Sequence, residues 1–514
     1  MKGIASLTKV LCLLLAIAML VPALVACDNG GGDVTTDGNA STTGAESTTE
    51  SATTVDPNEM HDLPADLNYG GAEVSMLTAW VDMHEDEFYL EDDYAPTGEL
   101  VPDAVYHRNY AVEKQLNIDL VVLTRDRTEY LNSTHMTDVQ SGLGMYQIIA
   151  DSTTNKGVMI VDGFYHDLGT FEYLDLSKNY WSQGFGEVVT FGEENKQYLA
   201  TGAIAVSLYR MMFATIYNQK DLATYGLEDP YQKVMDGEWT LDAQKAMIAN
   251  TFAEKDNDGK ASEGDYYGLL TGSSTCMDPY LVSSKVELIK KDAEDYSWYY
   301  DSDELTYLVD VAEKVQALTS DDNTYVFEAA ADHPAKNDII LKFAEREGMM
   351  ATFLFYALEK SIGEITFDYG IAPIPKYSTE QDEYYTYVQD MAASIGVSSV
   401  VQDETALERI GATLEALAYH SSVYVEEAYF EKSMSLKFLK DPRSQDIINL
   451  LYDSVAIDFC GMMSSAIESF KLRDQLRPVL SCVSQETVVT LLNKNETALK
   501  RNLSSINRKA AKLP

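Results

Sequence analysis

Strand-like and helix-like segments alternate near the start of the folded part of the chain, and this alternation most constrains the fold. Residues 72–80 form an apolar run typical of a buried strand, and residues 102–116 carry apolar side chains at helical spacing. Residues 118–124 and 146–150 form two further apolar runs. A strand–helix–strand–helix–strand succession predicts an open parallel sheet with helices on both faces. We therefore expect an α/β protein.

Polar and aromatic side chains follow the predicted strands. Trp80 and Asp82 come after the first strand, and Asp151 and Ser152 come after the third. Ligands of open α/β sheets bind beyond the carboxyl ends of the strands. We expect Trp80 to stack on a ligand and the two acids to accept hydrogen bonds from its hydroxyls. The alternatives are a ring that packs beneath its loop and acids that stay solvated.

Length and charge exclude several classes of protein. With 514 residues the chain exceeds the usual size of one domain, which is about 100–200 residues, so we expect more than one core. The 82 Asp and Glu outnumber the 38 Lys and Arg, and a net charge of -44 repels a phosphate backbone, which excludes nucleic-acid binding. The 7 histidines show no His-Glu-x-x-His motif, which argues against a zinc hydrolase.

The amino terminus has the pattern of a secretory signal. Lys2 and Lys9 precede and flank an apolar run over residues 10–21, which is too short for a comfortable membrane span. The residues before Cys27 resemble the bacterial lipoprotein box, in which this cysteine is lipidated. The alternative is an ordinary signal with an incidental cysteine. We expect residues 1–26 to be the signal peptide and Cys27 to anchor the protein on the extracellular face of the cell membrane.

The segment after the signal predicts a tether rather than a fold. Residues 27–60 are rich in Gly, Ser, Thr and acidic residues and contain no aromatic or basic residue, so they are expected to be disordered. The three later cysteines, Cys276, Cys460 and Cys482, lack metal-ligand spacing. A disulfide between Cys460 and Cys482 is left open.

Several segments resemble one family of bacterial receptors. Residues 205–222 and the Asp-Gly-Glu-Trp-Thr-Leu-Asp sequence at 236–242 resemble the crossover region of the extracellular solute-binding proteins of family 1. This is the class that contains maltose-binding protein. Further segments resemble the same receptors in the same order: residues 103–109, 267–280, 343–356 and 368–376.

The resemblance implies a type II periplasmic-binding fold, in which two α/β lobes joined by several crossings close on a ligand. The family topology places residues 66–205 and 347–395 in the first lobe. It places residues 206–346 and 396–514 in the second lobe. This agrees with the estimate from length of more than one core.

The resemblance also implies a function. It implies a substrate-binding lipoprotein of an ABC importer that captures a carbohydrate, most simply an oligosaccharide, and delivers it to the transmembrane permease subunits. Neither catalysis nor a required cofactor is implied, and the receptor is expected to be a monomer. Two alternatives stay open: a surface glycoside hydrolase with two carboxylates in an aromatic cleft, and a receptor for a non-sugar solute such as a peptide.

Two segments of the resemblance supply candidate ligand residues. Sugars present flat C–H faces and a rim of hydroxyls, so aromatic rings and acids suit them. The Asp278-Pro-Tyr280 step resembles a sugar contact of maltose-type receptors. Phe355 and Tyr356 resemble an aromatic pair at the end of a strand, where one of the two must face away from the cleft.

Residues near the predicted hinge are a second group of candidates. Tyr209 and Arg210 lie just past the proposed hinge, and the alternative for the arginine is a surface ion pair. Trp239 starts a predicted helix with Thr240 or Asp242 as its cap, and we assign its ring to packing, as we do for the remaining tryptophans, Trp181 and Trp298.

An acidic loop at residues 254–265 is a candidate calcium site. Oxygen-bearing side chains occupy the positions that an EF-hand-like loop uses, and a glycine occupies position 6 for the sharp turn. The loop departs from that pattern because its first position is Glu and its last is Asp. The candidate ligands of a structural calcium ion are Glu254, Asp256, Asp258, Ser262 and Asp265. The alternative is an acidic surface loop.

Overall fold

The structure is a computed structural model. It describes residues 60–79, 84, 86–88, 94–126, 128–154, 156–192, 194–328, 338–433, 442–463 and 467–514.

The strands are short and distributed along the whole described chain. In order they are β1 Ala72–Ala79, β2 Ile118–Arg125, β3 Ile148–Ser152, β4 Thr190–Phe191, β5 Lys196–Gln197, β6 Phe213–Asn218, β7 Tyr267–Gly272, β8 Ile289–Lys291, β9 Trp298–Tyr300, β10 Thr324–Phe327, β11 Gly348–Leu354, β12 Tyr369–Ala372, β13 Thr386–Tyr387, β14 Ala393–Val397 and β15 Val455–Ala456.

Helices separate most of these strands. In order they are α1 Leu100–Leu116, α2 Thr128–Ser141, α3 Lys156–Val161, α4 Gln183–Val188, α5 Val206–Arg210, α6 Gln219–Tyr225, α7 Pro230–Met235, α8 Leu241–Ile248, α9 Asp278–Ser283, α10 Glu304–Thr319, α11 Asp338–Ala344, α12 Phe355–Ser361, α13 Glu404–His420, α14 Pro442–Asp453, α15 Phe459–Met463, α16 Leu472–Leu480 and α17 Val488–Ala510.

The first sheet confirms the predicted strand–helix alternation. Its strand order is β14-β3-β1-β2, with β1 parallel to both β2 and β3 and with β14 antiparallel to β3. The predicted strands over 72–80 and 118–124 are present within one residue at each end, and the strand predicted at 146–150 begins two residues later. Helix α1 buries Val105 and Val112 on the side that packs against the core.

The second sheet is mixed. Its strand order is β10-β7-β11-β6-β12, in which β10, β7 and β11 are parallel and β6 runs antiparallel to β11 and β12. Every residue of β6, β7 and β11 is buried, because helices or other strands cover both faces.

One part of the expected lobe division differs from the sheets. Residues 347–395 were expected with the first sheet, but β11 and β12 pair in the second sheet, and only β14 joins the first. The physical reason is the antiparallel partner β6, whose two edges are filled by β11 and β12. The lobe boundaries as a whole stay a prediction.

Two segments carry the chain between the sheets. The first runs from the bridge between Ala200 and Ile395, through α5, to the start of β6. The second returns from β12 to β14 and pairs with the first where Met212 bridges Val388. The sequence predicted extended chain over residues 198–207, but helix α5 already begins at Val206.

Gly202 shows why this connection needs a small residue. A Cβ atom at this position would lie 2.1 Å from the carbonyl oxygen of Tyr180, which is backbone and has little room to move. The connection therefore packs directly against the neighbouring segment.

The helix start at Trp239 agrees with the sequence. Thr240 is the cap of α8, and its hydroxyl accepts a hydrogen bond from the backbone N–H of Ala243 at 3.2 Å. The Trp239 ring is fully buried and donates from Nε1 to the carbonyl of Pro373 at 2.7 Å. Its assignment to packing is confirmed by this burial.

Candidate functional site

The chain just after β3 and β11 contacts the connecting segments through backbone hydrogen bonds from Thr153 to Ala392 and from Phe355 to Met212. The sequence predicted a ligand site at such strand ends. Strands β1 and β3 end at Ala79 and Ser152, and β7 and β11 end at Gly272 and Leu354. Helix α5 lies on the connection between the two sheets. In open α/β folds such strand ends line the ligand crevice.

Asp151 is fully buried and already has a cationic partner. Lys156 Nζ lies 3.2 Å from its Oδ2 atom and also donates to Asn132 Oδ1 at 2.5 Å. Across the β3–β14 ladder, Asp151 faces Ser394, whose buried hydroxyl has no hydrogen-bond partner among the described residues. The role of Asp151 as a hydroxyl acceptor stays a prediction, and Ser394 is a polar group here that the sequence did not single out.

A buried carboxylate ties the loop after β1 to the connecting helix. Glu87 accepts hydrogen bonds from the N–H and hydroxyl of Ser207 at 2.8 and 2.7 Å, and its other oxygen lies 2.8 Å from His84 Nδ1. Burial opposes ionisation of Glu87, but these hydrogen bonds outweigh it and lower its pKa. The carboxylate stands between serine and histidine, so this trio lacks the serine–histidine contact of a nucleophilic triad.

The predicted hinge residues Tyr209 and Arg210 are buried in α5. The Tyr209 ring stacks on Tyr429 at 5.8 Å between centroids and meets Tyr452 at 5.6 Å. Arg210 forms a two-point ion pair with Glu359, with distances of 3.0 and 3.2 Å. Arg210 therefore forms an ion pair, as the alternative interpretation expected. The pair is largely buried, whereas the expected one lay on the surface. Ligand contact by either residue stays a prediction.

Asp278 is the centre of a buried ionic cluster. Arg477 binds its carboxylate at two points, at 2.7 and 2.5 Å, and Arg473 Nε lies 3.3 Å away. Arg473 also contacts Asp390 and donates to the Tyr387 hydroxyl. The side chain of Asp278 therefore holds α16 against the start of α9, and a sugar contact would have to share it.

The other aromatic candidates are buried as well. The Tyr280 hydroxyl lies 2.9 Å from Thr352 Oγ1 on β11. The sequence predicted that Phe355 and Tyr356 end a strand. In the structure they begin helix α12 directly after β11. Helix geometry replaces the strict alternation of a strand, and both side chains point into packed surroundings with at most 5% of their surface exposed.

Three predicted residues lie outside the described part of the chain. They are Trp80 and Asp82, the ligand candidates after β1, and Cys27, the candidate lipidation site.

A first cavity of about 580 Å³ opens beside the Asp278 cluster. We call it cavity one. Segments distant in sequence line it, and its aromatic wall is formed by Tyr296, Trp298, Tyr299, Tyr385 and Phe459. The sequence assigned Trp298 to the core, and the ring is indeed only 6% exposed, but it also lines this cavity. The aromatic run at 296–300 was the signal that could have indicated it.

Several of the charges that line cavity one are compensated within the protein. Lys290 pairs with Asp301 and Glu304 at 2.8 and 3.0 Å, and Arg473 pairs with Asp278. Lys291 donates to the carbonyl of Glu187 at 2.6 Å and to Asn195 Oδ1 at 3.1 Å, and burial lowers its pKa to about 8. A cavity with aromatic walls, amides and compensated charges suits a neutral, hydroxyl-rich solute.

Solved structures resemble this arrangement over most of the chain. The extracellular solute-binding protein from Staphylococcus aureus in complex with maltose has a TM-score of 0.53 at 14% identity, covering 87% of this chain and 99% of that chain. A cyclo/maltodextrin-binding protein complexed with maltotetraose has a TM-score of 0.53 at 13% identity, covering 85% and 98%. The chain has the type II periplasmic-binding fold.

A further structure supports the same fold. A family 1 extracellular solute-binding protein from Bifidobacterium longum subsp. infantis has a TM-score of 0.51 at 14% identity, covering 85% of this chain and 100% of that chain. No protein-family model matches the sequence, and no curated protein matches it either. The fold class expected from the sequence is confirmed, and the three solved structures named here are all of binding proteins.

Three acids of the predicted calcium loop lie close together in the structure. Ligand oxygens of Glu254, Asp256 and Asp258 all lie within 4.8 Å of one another. Asp265 instead accepts hydrogen bonds from the backbone N–H groups of Lys255 and Ser262, at 2.8 and 2.9 Å. These bonds lower the pKa of Asp265 and connect the end of the loop to its earlier residues. Calcium binding stays a prediction.

The three later cysteines lie in the described part of the chain. Cys276, Cys460 and Cys482 are all free thiols in this structure, so the bridge left open by the sequence is not formed. Within the described ranges, no helix combines the length and the apolar character needed to cross a bilayer.

Proposed function

We propose that this protein is the substrate-binding receptor of an ABC importer and that it captures a carbohydrate, most simply an oligosaccharide, between its two lobes. The observation that carries the proposal is the fold shared over 85% or more of the chain with receptors that hold maltose and maltotetraose. In this mechanism the ligand stabilises the closed arrangement of the lobes, and the closed form docks on the permease. The protein itself performs no chemistry.

The amino-terminal sequence supports delivery to the cell surface. The short apolar run at 10–21 and the lipoprotein-box resemblance before Cys27 favour export and lipid anchoring on the extracellular face of the membrane. The polar segment at 27–60 would then let the receptor reach its permease while it stays attached.

We assign the carbohydrate to cavity one. Tyr299 lines this cavity and is 42% exposed, so its ring is available to stack on the apolar face of a sugar. Asn195 and Lys291 supply hydrogen-bonding groups on the same wall. The compensated charges explain why a neutral solute fits here better than an ion.

A ligand screen tests the function. Purified protein is heated with mono- and oligosaccharides, including maltose and maltotetraose, and with short peptides. A ligand at about 100 times its Kd adds about 2.7 kcal/mol to stability, so we expect a selective rise in melting temperature for a sugar. If only peptides raise the melting temperature, the ligand is a non-sugar solute and not a carbohydrate. If the protein cleaves the sugar during the assay, it is a glycoside hydrolase and not a receptor.

Two further measurements test the mechanism and the site. Small-angle scattering should show compaction at saturating sugar, and unchanged scattering would refute lobe closure. Tyr299→Ala should weaken sugar binding about tenfold, which corresponds to about 1.4 kcal/mol of lost stacking. Tyr225, which is equally exposed at 42% but does not line cavity one, is the matched control. If substitution of Tyr225 by alanine weakens sugar binding as much as Tyr299→Ala does, the sugar does not bind in cavity one.

A further inference from the structure

A second cavity, which we call cavity two, has a volume of about 690 Å³ and lies beside the first. Gly184 lines both. Four aromatic residues contribute to the wall of cavity two, namely Tyr180, Trp181, Tyr419 and Tyr452. Nothing in the proposed capture of a sugar uses this wall.

The rings of this wall are held in place by the protein. Glu415 accepts hydrogen bonds from the Tyr180 hydroxyl and from Trp181 Nε1, the latter at 3.3 Å. The Tyr452 hydroxyl donates to the carbonyl of Asn179 at 3.3 Å. Tyr419 packs edge-on against Tyr180 with ring centroids 6.2 Å apart. The wall is therefore preorganised, which reduces the entropy lost when a ligand binds.

An unusual backbone conformation brings an acid to the cavity. Helix α13 continues as π-helical turns over Ser421–Glu426 and Ala428–Ser433. Such turns are rare and often mark functional sites, because they shift the side chains that follow out of α-helical register. Glu426 lines cavity two, whereas its neighbour Glu427 is exposed and does not.

The charged residues in the described lining of cavity two are all acids. Asp453 and Glu426 line it, and no lysine, arginine or histidine stands among its described lining residues. Burial and the charge of Asp453 raise the pKa of Glu426 to about 7, and the Tyr209 hydroxyl opposes this rise. The Tyr452 hydroxyl also faces Glu426 from the end of α14. A neutral occupant would leave this negative charge uncompensated.

We propose that cavity two binds an organic cation, with Glu426 and Asp453 pairing its ammonium group and the aromatic wall contacting its remaining surface. Aromatic faces attract ammonium groups through their quadrupole, and carboxylates supply the opposite charge. This site is separate from the carbohydrate site, so either proposal can fail while the other stands.

Calorimetry with choline and spermidine tests the proposal, with 3,3-dimethylbutan-1-ol as the uncharged analogue of choline. We expect at least one of the cations to bind and the uncharged alcohol not to bind. Absence of heat with both cations at millimolar concentration would overturn the proposal, and so would equal binding of choline and its uncharged analogue. Binding of maltose or maltotetraose that depends on Glu426 would instead make cavity two the carbohydrate site.

Variants locate the bound cation. Glu426→Gln preserves the shape of the side chain and should weaken binding about tenfold, and Asp453→Asn at the rim should weaken it by a smaller factor. Glu427→Gln, on the exposed side of the same turn, should leave the affinity unchanged. If all three variants bind the cation like the unaltered protein, it does not occupy cavity two.

The pH dependence gives a readout that a loss of folding would not mimic. Only the ionised carboxylate attracts a cation, and with a pKa of about 7 its ionised fraction rises about tenfold between pH 6 and pH 8. The affinity should therefore rise by about this factor, and in Glu426→Gln it should stay nearly constant. A flat profile in the unaltered protein would contradict the proposal.

Discussion

Cavity one and cavity two are neighbours with similar aromatic walls but differently charged linings. Lys285, Lys290, Lys291 and Arg473 line cavity one together with acids, whereas the described lining of cavity two contains acids and no basic residue. Aromatic content therefore does not distinguish the two sites. What distinguishes them is that Asp278, Lys290 and Arg473 of cavity one have oppositely charged partners inside the protein, whereas the described lining of cavity two holds acids alone. This difference favours a neutral solute in one and a cation in the other.

The largest expected loss of stability comes from removing a carboxylate that pairs with two arginines beside cavity one. Asp278→Ala removes the carboxylate that Arg477 and Arg473 share, and leaves two largely buried guanidinium groups with fewer partners. Loss of one partner of a buried ion pair costs about 3–5 kcal/mol, so the unfolding midpoint in urea should fall strongly.

Asp242→Ala is the control for this substitution. Its pair with Lys314 is exposed, and such pairs contribute only about 0–1 kcal/mol. If both substitutions lowered stability equally, the Asp278 cluster would not be a stabilising feature of cavity one.

A smaller effect comes from Lys291. Lys291→Met leaves the oxygens of Glu187 and Asn195 without this donor, which should cost about 1–3 kcal/mol near neutral pH, less the gain from removing a poorly solvated charge. Because burial lowers the lysine pKa to about 8, the folded protein binds fewer protons than the unfolded chain between about pH 8 and its ordinary pKa of 10.5.

The sign of this pH effect follows directly. Stability linked to Lys291 should rise as the pH is raised through that interval and fall again as the pH returns below 8. Urea unfolding at pH 7.5 and pH 10 should show this difference in the unaltered protein relative to Lys291→Met. Parallel pH profiles of the two proteins would refute it.

Glu426 in cavity two should show the opposite slope at lower pH. Its pKa is raised from 4.5 to about 7, so the folded protein binds more protons than the unfolded chain in this interval. The stability linked to Glu426 is present below about pH 4.5 and is lost as the pH rises through 7. Thermal unfolding at pH 5 and pH 8 should show a smaller decrease for Glu426→Gln than for the unaltered protein, and identical decreases would count against an uncompensated acid.

The smallest expected effect concerns the acidic loop, where Asp256 and Asp258 are exposed. Millimolar calcium should raise the melting temperature by a few degrees if Glu254, Asp256 and Asp258 bind it, and a chelator should reverse the rise. Asp256→Asn should abolish this response, while magnesium should not reproduce it. No response to calcium would leave the loop as a solvated acidic turn.

The first sheet shows how much could be predicted from the chain alone. The apolar runs that became β1 and β2 are continuous in sequence, so their burial follows from local pattern. The same holds for the helix cap at Thr240, whose hydrogen bond spans only three residues. The order of resembling segments also predicted the two-lobe fold, although no single one of them is diagnostic.

The ligand candidates show where local pattern stops. Asp278 was chosen for its spacing to Tyr280, but its carboxylate is held by Arg477, which is 199 residues away. Trp298 was assigned to the core, yet it lines cavity one because segments distant in sequence converge on it. Phe355 and Tyr356 follow a strand but enter a helix at once.

The sequence by itself determined the class of fold, the strongly acidic character and the export pattern, because each of these depends on composition or on neighbouring residues. Only the tertiary structure decided which charges are compensated, since the partners come from segments far apart in the chain. For the same reason it alone separated a cavity with several paired charges from one whose charged residues, within the described lining, are the acids Glu426 and Asp453.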